Sequence, residues 1–136
     1  MIKCIVGKKG SGKTKQLIDD VNAAVHEEHG NVICIEYDKK LIYDINHSCR
    51  LIEITDYPIR GYEAFFGFIC GMFAQNYDIS YIFVDSLYRV AGDSDPSQID
   101  AFMKNIEQFS ESNRVKFTIT VSDAVENVPA SITQYM

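Results

Sequence analysis

Eight residues near the start of the chain, Gly7-Lys8-Lys9-Gly10-Ser11-Gly12-Lys13-Thr14, bring together the groups needed to hold a row of phosphates. They satisfy the spacing G-x-x-x-x-G-K-[ST], in which the glycines let successive backbone N–H groups turn inward on phosphate oxygens. Lys13 is then placed to reach the β- and γ-phosphates, and the Thr14 hydroxyl to ligate magnesium. The expected nucleotide-binding set is Gly7, Lys8, Lys9, Gly10, Ser11, Gly12, Lys13, Thr14 and Lys15, the outer lysines adding positive potential.

A second group belongs to the same chemistry. Tyr81-Ile82-Phe83-Val84 is an apolar run that ends in Asp85, a carboxylate able to hold the magnesium shell, so Thr14 and Asp85 form the expected metal set. Ser86 follows where many ATPases place an acid that orients the attacking water. Glu36 is the expected substitute, because it ends the strand after the loop's helix, and Asp38 lies further out. Thr118, Thr120 and Ser122 alternate along the last strand, and a period of two puts them on one face. Ser122, at the carboxyl end, is expected to meet the γ-phosphate or the water. The expected catalytic set is Lys13, Glu36 and Ser122, with Arg60 and Arg89 as candidates for stabilising charge, in cis or across an oligomer interface.

These groups need elements to position them. Ile2 to Val6 reads as a strand, the loop follows, and Leu17, Ile18, Val21, Ala24 and Val25 give a helical face expected to end near Gly30. Val32 to Ile35 and Leu51 to Ile54 read as strands, while residues 37 to 49 suit a helical turn or a hairpin arm equally. Tyr62, Phe65, Phe66, Ile69, Cys70 and Phe73 lie on one helical face, read as core. Ile79 to Val84 is a strand covered on both sides, Ser86 to Ser94 a loop, and Asp95-Pro96 a helix start. Val115 to Val121 is the last strand, and the tail from Val128 has room for a short helix. Strands alternating with amphipathic helices require crossovers, so the expected fold is α/β: three layers, a mostly parallel five-stranded sheet with helices on both faces. In such sheets ligands sit at the carboxyl ends of strands, where Gly7, Glu36, Asp85 and Ser122 all lie.

Composition narrows the function classes. A chain of 136 residues fits a single nucleotide-binding domain, residues 1 to 136, and any second activity is expected from partner chains. The net charge of −6 works against sequence-blind binding to nucleic acid, whose affinity comes from clustered Lys and Arg. No run has the length of a membrane span and no secretory leader is visible, so a cytoplasmic location is expected. Cys4, Cys34, Cys49 and Cys70 show no metal-binding spacing and read as small buried hydrophobes without disulfides.

The phosphate loop, the Asp85 strand and the hydroxyl-bearing last strand together resemble the P-loop NTPase superfamily, and the placement of Glu36 leans toward its RecA-like branch. The chain is also similar to short stand-alone bacterial P-loop proteins labelled twitching-motility ATPase-like. The resemblance implies an ATP-binding protein with magnesium as cofactor. A complete loop beside an incomplete catalytic set implies a weak ATPase acting with a protein partner or as a homo-oligomer. A small-molecule phosphotransferase and a non-catalytic nucleotide switch are the alternatives.

Overall fold

The computed structural model describes residues 1–136. Five apolar runs form the strands: β1 (Ile2–Gly7), β2 (Asn31–Glu36), β3 (Arg50–Glu53), β4 (Ile79–Val84) and β5 (Lys116–Ser122). The helices are α1 (Lys13–Glu27), α2 (Tyr62–Gln75), α3 (Leu87–Ala91), α4 (Pro96–Asn113) and α5 (Ala130–Thr133). The strand order is β1-β5-β4-β2-β3, and every pairing is parallel, so the sheet is wholly rather than mostly parallel. The expected three-layer α/β architecture is the one observed.

Alternation along each strand divides the core in two. On one face Val32, Cys34 and Phe83 pack against Leu17, Val21 and Ala24 of α1. On the other, Ile33, Ile35, Ile82, Val84, Phe117 and Ile119 meet α2, α3, α4 and α5. Burial pushes the Cys4 and Cys49 thiols up to about 12 and Cys34 well above its ordinary value, leaving all three as inert small hydrophobes.

Several local expectations are corrected. Of the two readings left open for residues 37 to 49, the structure has the helical turn, with Asp44 and Ile45 N–H both donating to Leu41 O at 3.0 Å. A hairpin arm is impossible there because β2 and β3 run parallel. The segment instead buries Leu41, Ile45 and Cys49 against α1, and the Asn22 side chain fastens it by donating to Asp44 O (2.9 Å) and accepting Asn46 N–H (2.8 Å). Residues 86 to 94 are not all loop, since α3 lies within them. On α2 only Tyr62, Phe65 and Ile69 are fully buried. Phe66, Cys70 and Phe73 are half-buried, with Phe66 and Phe73 edge-on to Phe109 of α4 at 6.2 and 5.4 Å. Helix α1 closes at Glu28, whose N–H donates to Ala24 O. Gly30 has a different role from the expected helix stop: a Cβ there would lie 2.2 Å from Asp78 O, so only glycine lets this turn pass the start of β4. No helix is long and apolar enough to cross a membrane.

Candidate functional site

The loop joining β1 to α1 is a closed backbone turn. Gly10 and Gly12 both have φ +86, the left-handed region that a side chain disfavours. Ser11 N–H donates to Lys8 O at 3.1 Å, and Asp123 N–H donates to Gly7 O at 3.1 Å, which ties the loop to the segment after β5. Helix α1 has no side-chain cap and no acidic residue in its first turn. Its free N–H groups and dipole therefore favour an anion at that end.

Lys13 is folded back into this turn. It is 8% exposed, and Nζ donates to Lys8 O at 2.9 Å and to Ser11 Oγ at 3.4 Å. Burial lowers its pKa, and the nearby Asp85 carboxylate opposes that shift.

In front of the loop lies a cleft of about 610 Å³ with no hydrophobic residue in its wall. The loop side contributes Lys9, Gly10, Gly12, Lys13, Thr14 and Lys15; the facing side contributes Lys40, Ser86, Arg89 and Ser122. Five cations and no carboxylate line it, in a protein of net charge −6. That segregation of charge focuses a positive potential on one concavity at the carboxyl ends of β1, β5 and β4.

Asp85 stands just behind this wall, 3% exposed. Its Oδ1 accepts the Thr120 hydroxyl at 2.8 Å, and the same Thr120 oxygen accepts Ser86 N–H at 2.7 Å. The strand order makes this possible, because β5 is inserted between the loop strand and the Asp85 strand. Ser86 itself has φ 64, a left-handed conformation uncommon for a residue with a side chain.

No protein-family model matches the chain, and no curated protein matches it. Its likeness is one of fold. The chain superposes on the flagellar accessory protein FlaH from Methanocaldococcus jannaschii with a TM-score of 0.69 at 14% identity. The match covers 98% of this chain and 65% of the FlaH chain, so this chain spans just under two thirds of FlaH's length. An identity that low speaks for shared architecture alone.

The structure brings Lys9, Gly10, Gly12, Lys13, Thr14, Lys15 and Ser122 to one cleft. Gly7, Lys8 and Ser11 shape the loop from behind through the hydrogen bonds above. Glu36 departs from expectation: it is fully buried and absent from the cleft wall. Its Oε1 accepts Lys40 N–H at 3.0 Å and its Oε2 accepts Leu41 N–H at 3.3 Å, so the carboxylate closes the turn after β2 instead of facing a water. Asp38 pairs with Arg89 and Lys40. Arg60 lies outside the cleft, whereas Arg89 lines it with its guanidinium 4.4 Å from the centre of the Tyr37 ring.

Lys40, Ser86 and Thr120 were not singled out for these positions from sequence. Thr120 carried a signal in sharing a face with Ser122. Nothing local could show that its partner would be Asp85, 35 residues earlier.

Proposed function

We propose that residues 1 to 136 form a nucleotide-binding domain that holds a nucleoside triphosphate, ATP with magnesium, in the cationic cleft. The observation that carries this reading is the cleft wall: a glycine-bent loop, a helix N-terminus and five cations without a carboxylate, in an acidic protein. The residues fit magnesium. A Thr14 hydroxyl at the cleft and a recessed Asp85 carboxylate are hard oxygen donors, suited to an ion that keeps several of its waters. When bound, the ion would neutralise charge shared between the β- and γ-phosphates. Lys13 would exchange the Lys8 carbonyl for phosphate oxygens, and Ser122 would face the terminal phosphate.

The wall offers no apolar platform for a base, so the triphosphate supplies most of the affinity and GTP should bind within a few-fold of ATP. With no carboxylate in the cleft to orient water, hydrolysis is slow, below about 1 per second. Isothermal calorimetry with ATP and magnesium tests the binding. Wild-type protein should give a saturable signal and Lys13→Ala should weaken it at least about tenfold, a loss of about 1.4 kcal/mol. Absence of heat with well-folded wild type overturns the proposal.

A second reading, a nucleotide switch without catalysis, is favoured by the Arg89–Asp38 pair, which links the cleft to the segment after β2. Under it, ATP changes amide exchange across residues 37 to 49 while turnover stays undetectable.

A further inference from the structure

We propose that the cavity on the far side of Arg89 is a second small-molecule site, for an anion that carries a flat ring. The cavity measures about 450 Å³ and is built by the segments that follow three parallel strands: Tyr37 after β2, residues 54 to 60 after β3, and Arg89 with Val90 on α3 after β4. It therefore lies on the side of an open α/β sheet where ligands are held.

Its chemistry differs from that of the phosphate cleft. The cleft is polar throughout, whereas this cavity has an apolar floor of Ile54 and Val90, each buried, and two aromatic walls, Tyr37 and Tyr57. Arg60 and Arg89 stand at it as the polar groups. A mostly apolar concavity with a few convergent polar groups is what a small organic ligand requires. The Arg60 guanidinium fork selects a carboxylate or a phosphate and the Tyr57 ring a flat partner, while Arg89, paired with Asp38 and stacked on Tyr37, closes the wall between cavity and cleft.

Arg60 strengthens the assignment because it makes no ion pair within the chain, while Arg89 is already paired with Asp38. The Arg60 guanidinium lies against Gly92 at the end of α3, and without a carboxylate partner this exposed side chain is available to an anion entering the cavity it lines.

Arg89 is the single residue that the cavity and the phosphate cleft share. The phosphate loop sits on β1 at one edge of the sheet, and the cavity sits on β2 and β3 at the other, beyond Asp85. If the cleft holds a triphosphate as proposed above, with Thr14 and Asp85 as the residues that would hold its magnesium, the cavity lies on the Asp85 side of the cleft, across Arg89. The nucleoside would then leave the cleft on the side away from Arg89. The cavity ligand is accordingly a separate molecule.

The test uses benzoate and phenyl phosphate as probes, titrated to millimolar concentration into isotope-labelled protein without nucleotide and followed by amide chemical shifts. Saturable shifts should appear at residues 54 to 60 and 89 to 90. The arm that saturates at lower concentration identifies the anionic group as carboxylate or phosphate. Arg60→Gln should weaken binding about tenfold, the loss expected for one charge-assisted fork. Thr55→Trp, which fills the cavity from an exposed rim position, should abolish it. Both positions are solvent-facing, and an unchanged amide spectrum away from the cavity confirms that the variants fold.

Lys13→Ala should leave probe binding intact. The proposal is overturned if shifts are confined to Gly7–Lys15, if Lys13→Ala removes them, if Arg60→Gln and Thr55→Trp bind like wild type, or if ATP with magnesium displaces the probe completely. Calorimetry with ATP on the same protein reports on the phosphate cleft separately, so the two readings fail independently.

Discussion

Thr120, buried on β5 beside the loop strand, donates its hydroxyl to Asp85 Oδ1 at 2.8 Å and accepts Ser86 N–H at 2.7 Å. One buried hydroxyl thereby orients the carboxylate at the end of β4 and fixes the backbone that turns into α3. Thr120→Val keeps the shape and removes both bonds, leaving a part-buried N–H and a buried carboxylate oxygen without their partner. The expected loss is about 1–3 kcal/mol in urea denaturation, together with a weaker magnesium dependence of ATP binding. Unchanged stability and magnesium dependence would show that Asp85 is held by other means.

Gly7 ends β1 directly against the loop it introduces. A Cβ there would lie 2.5 Å from Ser11 Oγ and 3.2 Å from Ser11 Cβ. Gly7→Ala should therefore distort the loop and weaken ATP binding with little change in melting temperature, since the clash falls at a solvent-facing turn. Ser11→Gly removes both contacting atoms, and the double variant should recover binding relative to Gly7→Ala alone. Calorimetry on the two variants decides it, and failure of the rescue would place the defect elsewhere.

Glu36 and Glu53 are register partners at the ends of β2 and β3, and Glu53 Oε2 is buried without a hydrogen-bond donor. Burial, then a proton shared with Glu36 and that group's charge, push Glu53 from 4.5 up to about 7, against a smaller opposing pull from Lys39. The folded state thus holds the proton more tightly than the unfolded chain. Its contribution to stability is full below the unfolded value and is lost as pH rises through about 7. Urea midpoints measured from about pH 5 to about pH 8 should fall in wild type and stay flatter in Glu53→Gln, which is neutral throughout. Parallel slopes in the two proteins would refute the shared proton.

Asp38 forms ion pairs with Arg89 and Lys40, two of the cations that line the cleft. The pairs are exposed enough that removing them should change stability by no more than about 1 kcal/mol. Asp38→Asn should nevertheless tighten ATP binding several-fold at low salt, because two cations lose their internal counter-charge. High salt should erase the difference by screening. Equal affinities at low salt would mean that Arg89 and Lys40 do not reach the bound phosphates.

The features most legible from residue order are those set by near neighbours. Pro96 after Asp95 starts α4, where the Asp95 side chain accepts Ser97 N–H at 3.0 Å, and the run Ile79–Val84 becomes β4 with the bounds expected. The strand, glycine turn and helix around Gly7–Thr14 are equally local, set by periodicity and by the left-handed φ at Gly10 and Gly12.

Which distant groups meet was legible only in the assembled sheet. The order β1-β5-β4-β2-β3 puts Thr120 beside Asp85, turns Glu36 toward Glu53 and the 37–41 turn, and draws Lys40 and Arg89 to a cleft formed mainly by residues 9 to 15. It also opens the Arg60 cavity between segments that follow three different strands. The physical reason is that local propensity acts through adjacent dihedrals and side-chain spacing, whereas strand order is settled by which faces bury best together, a sum over the whole chain that no short stretch contains.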